Sequence, residues 1–304
     1  MTDAARLCPD DLRLIEQAVA YLEDPSFLMR VADLLGRPAD SLIERLPDRA
    51  RKLVGRASEA ALNRALTWAI ASLGDDGATP SMHSLSAGAL GGLGGLMGLA
   101  ALPIELPATT VVMLRSIAAI ARAEGADLRD PEVRLECLSV LALGGRLPAP
   151  IDATFEGEPS PLADMESSYW TARLGMAMAL RSAARQIGTL TGRQLASELA
   201  AGASPMLTRL LGMVAARFQT VVGEKAVAQA VPVVGAAAGA AFNIAFTEHF
   251  NAVARHHFGL RRLERQAGAA EVQAAYARAL QRHRQKKLQP QPAIPPARRP
   301  ETHT

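Results

Sequence analysis

Glu248, His249, His256 and His257 form the densest group of residues able to do acid-base or metal chemistry in this chain. His249 and His256 are seven apart, which places them on one face of a helix and roughly 10 Å apart along its axis. Two direct ligands of one ion need closer spacing, and the H-E-x-x-H arrangement that supplies it is absent. Solvated histidines at a helix end therefore fit the spacing better than a metal centre. Glu105 and Asp127 are isolated carboxylates that could join the group only by folding from a distance. There is no nucleophile elbow, and neither Cys8 nor Cys137 lies beside a histidine in sequence.

A cluster of glycines invites comparison with a phosphate cradle. It lacks G-x-G-x-x-G, because Met97 stands where the third glycine belongs, and no Gly-Lys-Ser/Thr follows. The expectation is no metal, no cofactor and no nucleotide.

Composition sets the elements that must position these residues. Hydrophobic residues make up 49% of the 304, yet aromatics only 4%. Ala and Leu build helical cores, whereas sheets favour Val, Ile and aromatics, and period-2 alternation is missing. The expected class is all-α: a multi-helix bundle with two Gly/Ala-rich apolar segments and a disordered basic C-terminal tail. Two cysteines make neither a disulfide framework nor a metal cluster. Acidic residues interrupt the first thirty positions where a signal peptide would be apolar, so a cytoplasmic location is expected. Residues 281–304 carry six Lys/Arg against Glu301, a net of +5 in a chain whose total is +3. The body is near neutral, which argues against nucleic-acid binding.

Short amphipathic helices are expected over 10–75. Leu12, Ile15, Val19 and Leu22 share a stripe, Ser26 can cap a second helix that closes at Gly36, and a third spans about 56–73. From Gly77 to Ile104 there is no Asp, Glu, Lys or Arg. Leucines recur every third residue from Leu90 to Leu102, and the pairs Gly88/Gly92, Gly91/Gly95 and Gly94/Gly98 allow close helix approach. Pro103 and Pro107 end that segment, and a helix over 108–124 stops at Gly125. Asp130 and Pro131 read as the N-cap and first position of the next helix. The stretch 146–168, with Pro148, Pro150, Pro159, Pro161 and five acidic residues, reads as a linker.

Helices follow at about 169–190, with Arg173, Arg181 and Arg185 in line, and at about 205–222. A second charge-free segment, Ala226–Thr247, contains Pro232, Gly235, Gly239 and Asn243. The helix after it, about 240–264, turns basic at Arg255, Arg261 and Arg262. The division expected is one helical domain over 1–265 (helices 10–75, Gly-rich core 77–145, linker 146–168, helices 169–265). A basic helix end and disordered tail follow over 266–304.

Three stretches carry a family resemblance: Ala87–Leu96, Pro107–Leu143 with its Asp130–Arg134 helix start, and Val231–Asn243. In order and spacing they resemble the EcsC protein family over about residues 60–265. The family often has Asp where this chain has Glu105. The resemblance implies a bacterial protein at the inner membrane face, because the founding member is encoded beside an ABC transporter in an operon linked to secretion and competence. It supplies no catalytic residues.

Three functions are compatible with these features. The first is a non-enzymatic accessory protein that meets the cytoplasmic membrane surface, or a membrane complex, through the Gly-rich helices, with Arg255, Arg261, Arg262 and the tail facing lipid phosphates. The second is a hydrolase built on Glu105, Asp127 or Glu248/His249/His256. The third is a soluble scaffold that forms a homo-oligomer through the glycine pairs.

Overall fold

A computed structural model describes residues 7–23, 48–71, 101–145, 167–189, 204–229 and 236–288. Among these residues the chain forms eight helices and no strand, the all-α class expected. They are α1 (Pro9–Leu22), α2 (Asp48–Ala71), α3 (Leu102–Ala123), α4 (Pro131–Leu143), α5 (Ser168–Thr189), α6 (Pro205–Gln229), α7 (Ala236–Ala267) and α8 (Ala269–Leu288). The expected second helix, Gly88, Gly91, Gly92, Gly94, Gly95, Gly98, Pro232 and Gly235 lie outside the described residues. Gly239 falls in the first turns of α7.

The long helix α7 is the spine. At 32 residues it runs about 48 Å, and α1, α3, α4, α6 and α8 all pack on it. Helix α3 lies between α2 and α7, while α6 packs on α2, α4 and α5. Phe218 of α6 meets Phe246 and Phe250 of α7 at ring-centroid distances of 6.4 and 5.8 Å. Those three rings, all fully buried, supply much of the aromatic content of the core where the helices otherwise meet through Ala and Leu.

Several boundaries follow the local chemistry. Asp130 accepts a hydrogen bond from the Glu132 amide at 2.8 Å, and Pro131 opens α4, as an N-cap followed by a pre-set φ requires. Gly125, at φ 76°, ends the turn after α3 in the left-handed region.

Other boundaries differ from the sequence expectation. Helix α3 starts at Leu102 rather than 108, with Pro103 in its first turn and Pro107 inside. A proline in the first turn forfeits no hydrogen bond, because that amide has no intrahelical acceptor. This earlier start places Glu105 on a helix rather than in a loop. The first residues of the second charge-free segment end α6 and its last begin α7.

Residues 269–288, assigned by sequence to a basic helix end and tail, form α8. It buries Val272, Ala275, Tyr276, Ala279 and Leu280 and packs on α1 and α7. Among the described residues, α3 is the one helix long and apolar enough to cross a membrane, and half of its apolar window is buried against other helices.

Gly145, just after α4, sits where a Cβ would lie 2.5 Å from the Arg217 carbonyl oxygen, a backbone atom that cannot swing aside. Gly145→Ala is expected to lower stability by about 1–3 kcal/mol through this overlap, measurable as a reduced urea midpoint with unchanged slope.

Candidate functional site

The most unusual polar group in the interior joins three helices. Lys225, near the end of α6, is completely buried. Its Nζ donates to Glu105 Oε1 of α3 at 2.9 Å and to Asn243 Oδ1 of α7 at 2.5 Å. The ammonium also lies 4.7 Å from the Phe246 ring centroid, within range of the ring's negative face. Burial lowers the Lys225 pKa from its ordinary value, and the charge and hydrogen bond of Glu105 oppose that shift. Glu105 Oε2 is buried with no hydrogen-bonding partner among the described residues.

Local sequence explains why the three meet. Glu105 is the first charge after the apolar run 77–104, and Lys225 is the last charge before the run 226–247. Nineteen residues further along α3 and α7, Arg262 pairs with Glu124 at 2.8 Å, so the two helices run parallel in matched register. With Lys225 wholly covered, the amine meets protein groups on the sides the structure describes. The arrangement ties the three helices together.

A second network runs beneath α1 and α8. His257 of α7 places Nε2 3.1 Å from Glu136 Oε1 of α4 and Nδ1 2.9 Å from the Tyr169 hydroxyl of α5. Arg261 Nε forms an ion pair with the same Glu136 oxygen at 2.8 Å. Arg173 grips Glu264 with two bonds of 2.8 and 2.6 Å and stacks 4.7 Å from the Trp170 centroid.

Glu23, which follows α1, accepts from Ser167 Oγ at 2.5 Å, from the Ser168 amide at 2.9 Å and from the Tyr276 hydroxyl at 2.7 Å. It thereby caps α5 from 144 residues away and fastens α8 to the same point.

Burial lowers the His257 pKa, opposed by the hydrogen bond and charge of Glu136, and the ring bridges the Glu136 carboxylate and the Tyr169 hydroxyl. Burial raises the Tyr169 pKa to about 12, consistent with its hydroxyl acting as donor. Burial alone would raise Glu136, but the hydrogen bond and charge of His257, together with the charges of Arg261 and Arg173, outweigh it and hold the carboxyl at about 2.

Both shifts act in the same direction on stability. A base that resists protonation when folded contributes fully above its ordinary value near 6.5 and loses that contribution as pH falls below it. A carboxyl lowered from 4.5 to about 2 contributes above 4.5 and loses that contribution as pH falls toward 2. Denaturation midpoints measured from pH 8 to pH 3 are expected to fall in two stages, beginning below pH 6.5 and steepening below 4.5.

The sequence candidates do not assemble into one site. Asp127 is exposed and accepts from the Arg129 amide at 2.9 Å, a turn that lowers its pKa. Asp130 caps α4. Glu248 points outward and pairs with Arg255 at 3.3 Å.

The expected solvated histidines are a correction. His249 and His257 are buried and His256 half-buried, because Tyr21 of α1 covers His249 and His256 while Glu136 of α4 and Tyr169 of α5 enclose His257. Tyr21 of α1 contacts both rings, with centroids 6.0 Å from His249 and 5.1 Å from His256. His249 Nε2 also reaches the Gly144 carbonyl at 2.8 Å. Among the described residues no group of three or more His, Cys, Asp or Glu could hold a metal ion.

The arginines expected to face lipid phosphates are likewise committed elsewhere. Arg255 pairs with Glu248, Arg261 with Glu136 and Glu264, and Arg262 with Glu124. Of the aligned Arg173, Arg181 and Arg185, Arg173 turns inward to Glu264, whereas Arg181 and Arg185 are exposed.

Lys225, Glu136 and Tyr169 are the residues that sequence reasoning missed. The signal for Lys225 was present, since opposite charges border the facing ends of two uncharged runs. No local pattern points to Glu136 or Tyr169.

No curated protein and no solved structure matches the chain. The family model described as "EcsC protein family" matches residues 77–263. That span holds Glu105, Lys225, Asn243, Glu136, Tyr169 and His257, and leaves α1, α2 and α8 outside it. With well over half of its length matched, the chain belongs to the EcsC protein family.

Proposed function

We propose that this EcsC-family chain is a non-catalytic accessory protein. It associates with the cytoplasmic face of a membrane, or with a complex embedded there, through the end of the bundle where Glu105, Lys225 and Asn243 meet. The observation that carries this reading is the exposure of two large apolar residues beside that cluster. Ile104 is 80% exposed and Ile244 is 47% exposed, each adjacent in sequence to a member of the triad. Exposed aliphatic side chains gain free energy when a partner or lipid covers them.

Two further features agree with it. The uncharged runs 77–104 and 226–247 adjoin the same residues, and the charges at their borders are neutralised against each other. The hydrolase alternative loses support because Asp127 and Glu248 pair with arginines at the surface, away from His249 and His256, which pack against Tyr21.

Flotation with phosphatidylcholine vesicles tests the reading. The full chain is expected to rise with the vesicles, and Ile104→Lys/Ile244→Lys is expected to remain behind. Burial of each isoleucine contributes about 1.5–3 kcal/mol. Equal flotation of the two proteins, or none by either, would count against the proposal.

A further inference from the structure

Three oxygens along the seam between α3 and α7 are buried and have no hydrogen-bonding partner among the described residues: Glu105 Oε2, Thr247 Oγ1 and Asn251 Oδ1. Their residues are 4%, 4% and 7% exposed. Thr247 differs from four other helical threonines. Thr67, Thr109, Thr110 and Thr208 each donate the hydroxyl to the carbonyl four residues back, whereas the Thr247 hydroxyl makes no such bond. The Asn251 amide is oriented through Nδ2, which donates to Glu248 Oε1 at 3.4 Å, leaving Oδ1 as its buried end.

Asn243, Thr247 and Asn251 follow one another at intervals of four residues on α7, turning about 40° around the helix at each step. The turn runs from Asn243, which shares the Lys225 ammonium with Glu105, toward Arg262, which pairs with Glu124 of α3. Thr247 and Asn251 therefore face α3. In the matched register of the two helices, Glu105 is level with Asn243 and Thr109 with Thr247. Each step along α7 rises about 6 Å, and a molecule that hydrogen-bonds two oxygens from between them spans about 5.6 Å. One small molecule per step fits.

The chemistry of the oxygens selects the guest. A carboxylate and an amide oxygen only accept, and a hydroxyl does either, so the guest must donate. Lys225 already balances the charge of Glu105, so a metal cation would bring an unpaired charge into the interior. A small neutral molecule with two donors meets both conditions.

We propose that the α3–α7 seam binds a single file of water molecules that enters beside Glu248 and Asn251 and ends on Glu105 Oε2. Buried polar oxygens are ordinarily met by ordered water where several converge on one site. The Glu248 side chain is 53% exposed, so the file meets solvent one turn from Asn251. The Lys225 ammonium sits on Oε1 and takes no part. The file gives solvent contact to a carboxyl that the helices otherwise seal, and it stands apart from the membrane-face reading.

Urea denaturation and magnetic relaxation dispersion of solvent water, which detects internal water that exchanges with the bulk, test it on full-length wild type, Thr247→Val and Thr110→Val. Thr247→Val keeps the side-chain shape and removes the hydroxyl. It is expected to lose at least one exchanging internal water and to raise the unfolding equilibrium constant about fivefold. Thr110→Val, whose hydroxyl is bonded within its own helix, is expected to change neither the water signal nor the midpoint appreciably. Replacing sodium or potassium chloride with choline chloride at equal ionic strength is expected to leave the wild-type melting temperature unchanged.

An unchanged dispersion in Thr247→Val would overturn the file whatever the midpoint does. A raised urea midpoint would also overturn it, because replacing a hydroxyl that has no partner with a methyl is stabilising. A melting temperature that depends on the alkali ion would overturn the neutral guest in favour of a cation.

Discussion

Lys225→Met is expected to lower the unfolding free energy by about 3–5 kcal/mol, because it leaves the Glu105 carboxylate buried without its counter-charge. The side chains are 0% and 3% exposed, so water cannot replace the lost ammonium without the helices parting. Glu105 Oε2 already lacks a partner among the described residues, so Oε1 would join it. The double variant Lys225→Met/Glu105→Leu is expected to recover most of the loss, since an apolar pair of similar volume often substitutes for a buried ion pair at little net expense. A double-mutant cycle in urea gives the coupling directly. Simple additivity of the two single losses would show that the two residues do not act as a pair.

Glu136→Ala is expected to lower stability by about 2–4 kcal/mol. It removes the anion that His257 and Arg261 share and leaves a cavity among α4, α5 and α7. It should also change the shape of the pH profile. Loss of stability between pH 4.5 and pH 2 depends on the Glu136 carboxyl and should flatten, while the stage below pH 6.5 should persist in altered form because His257 remains buried. If the variant kept the full acid-side slope, the lowered value assigned to Glu136 would be wrong.

The helices that were legible in the sequence are those with their own punctuation. Asp130 and Pro131 start α4, and Gly125 closes the turn after α3, because caps and left-handed turns depend on neighbouring residues alone. Helix α8 was hidden by its charge. Val272, Ala275, Tyr276, Ala279 and Leu280 have helical spacing, but Arg278, Arg282, Arg284, Lys286 and Lys287 dominate the same stretch. What reveals the helix is the α1 surface that covers its stripe, together with Glu23, which bonds the Tyr276 hydroxyl.

The histidines depart from the sequence expectation for the same reason. Position on α7 is a local property, but cover by Tyr21 comes from 228 residues away. In the sequence Glu105 is an isolated carboxylate and Asn243 a packing residue, and only the fold shows that Lys225 connects them. The glycine pairs that dominate the sequence lie outside the described residues. Of the stretches that carry the family resemblance, Pro107–Leu143 is seen as α3 and α4, and the last residues of Val231–Asn243 begin α7.

Fractionation of cells that produce the full chain tests the central claim most directly. The account predicts that the protein sediments with membranes, stays there in about 1 M salt, where charge contacts are screened to about 3 Å, and is released by detergent. Recovery wholly in the soluble fraction at low salt would contradict it.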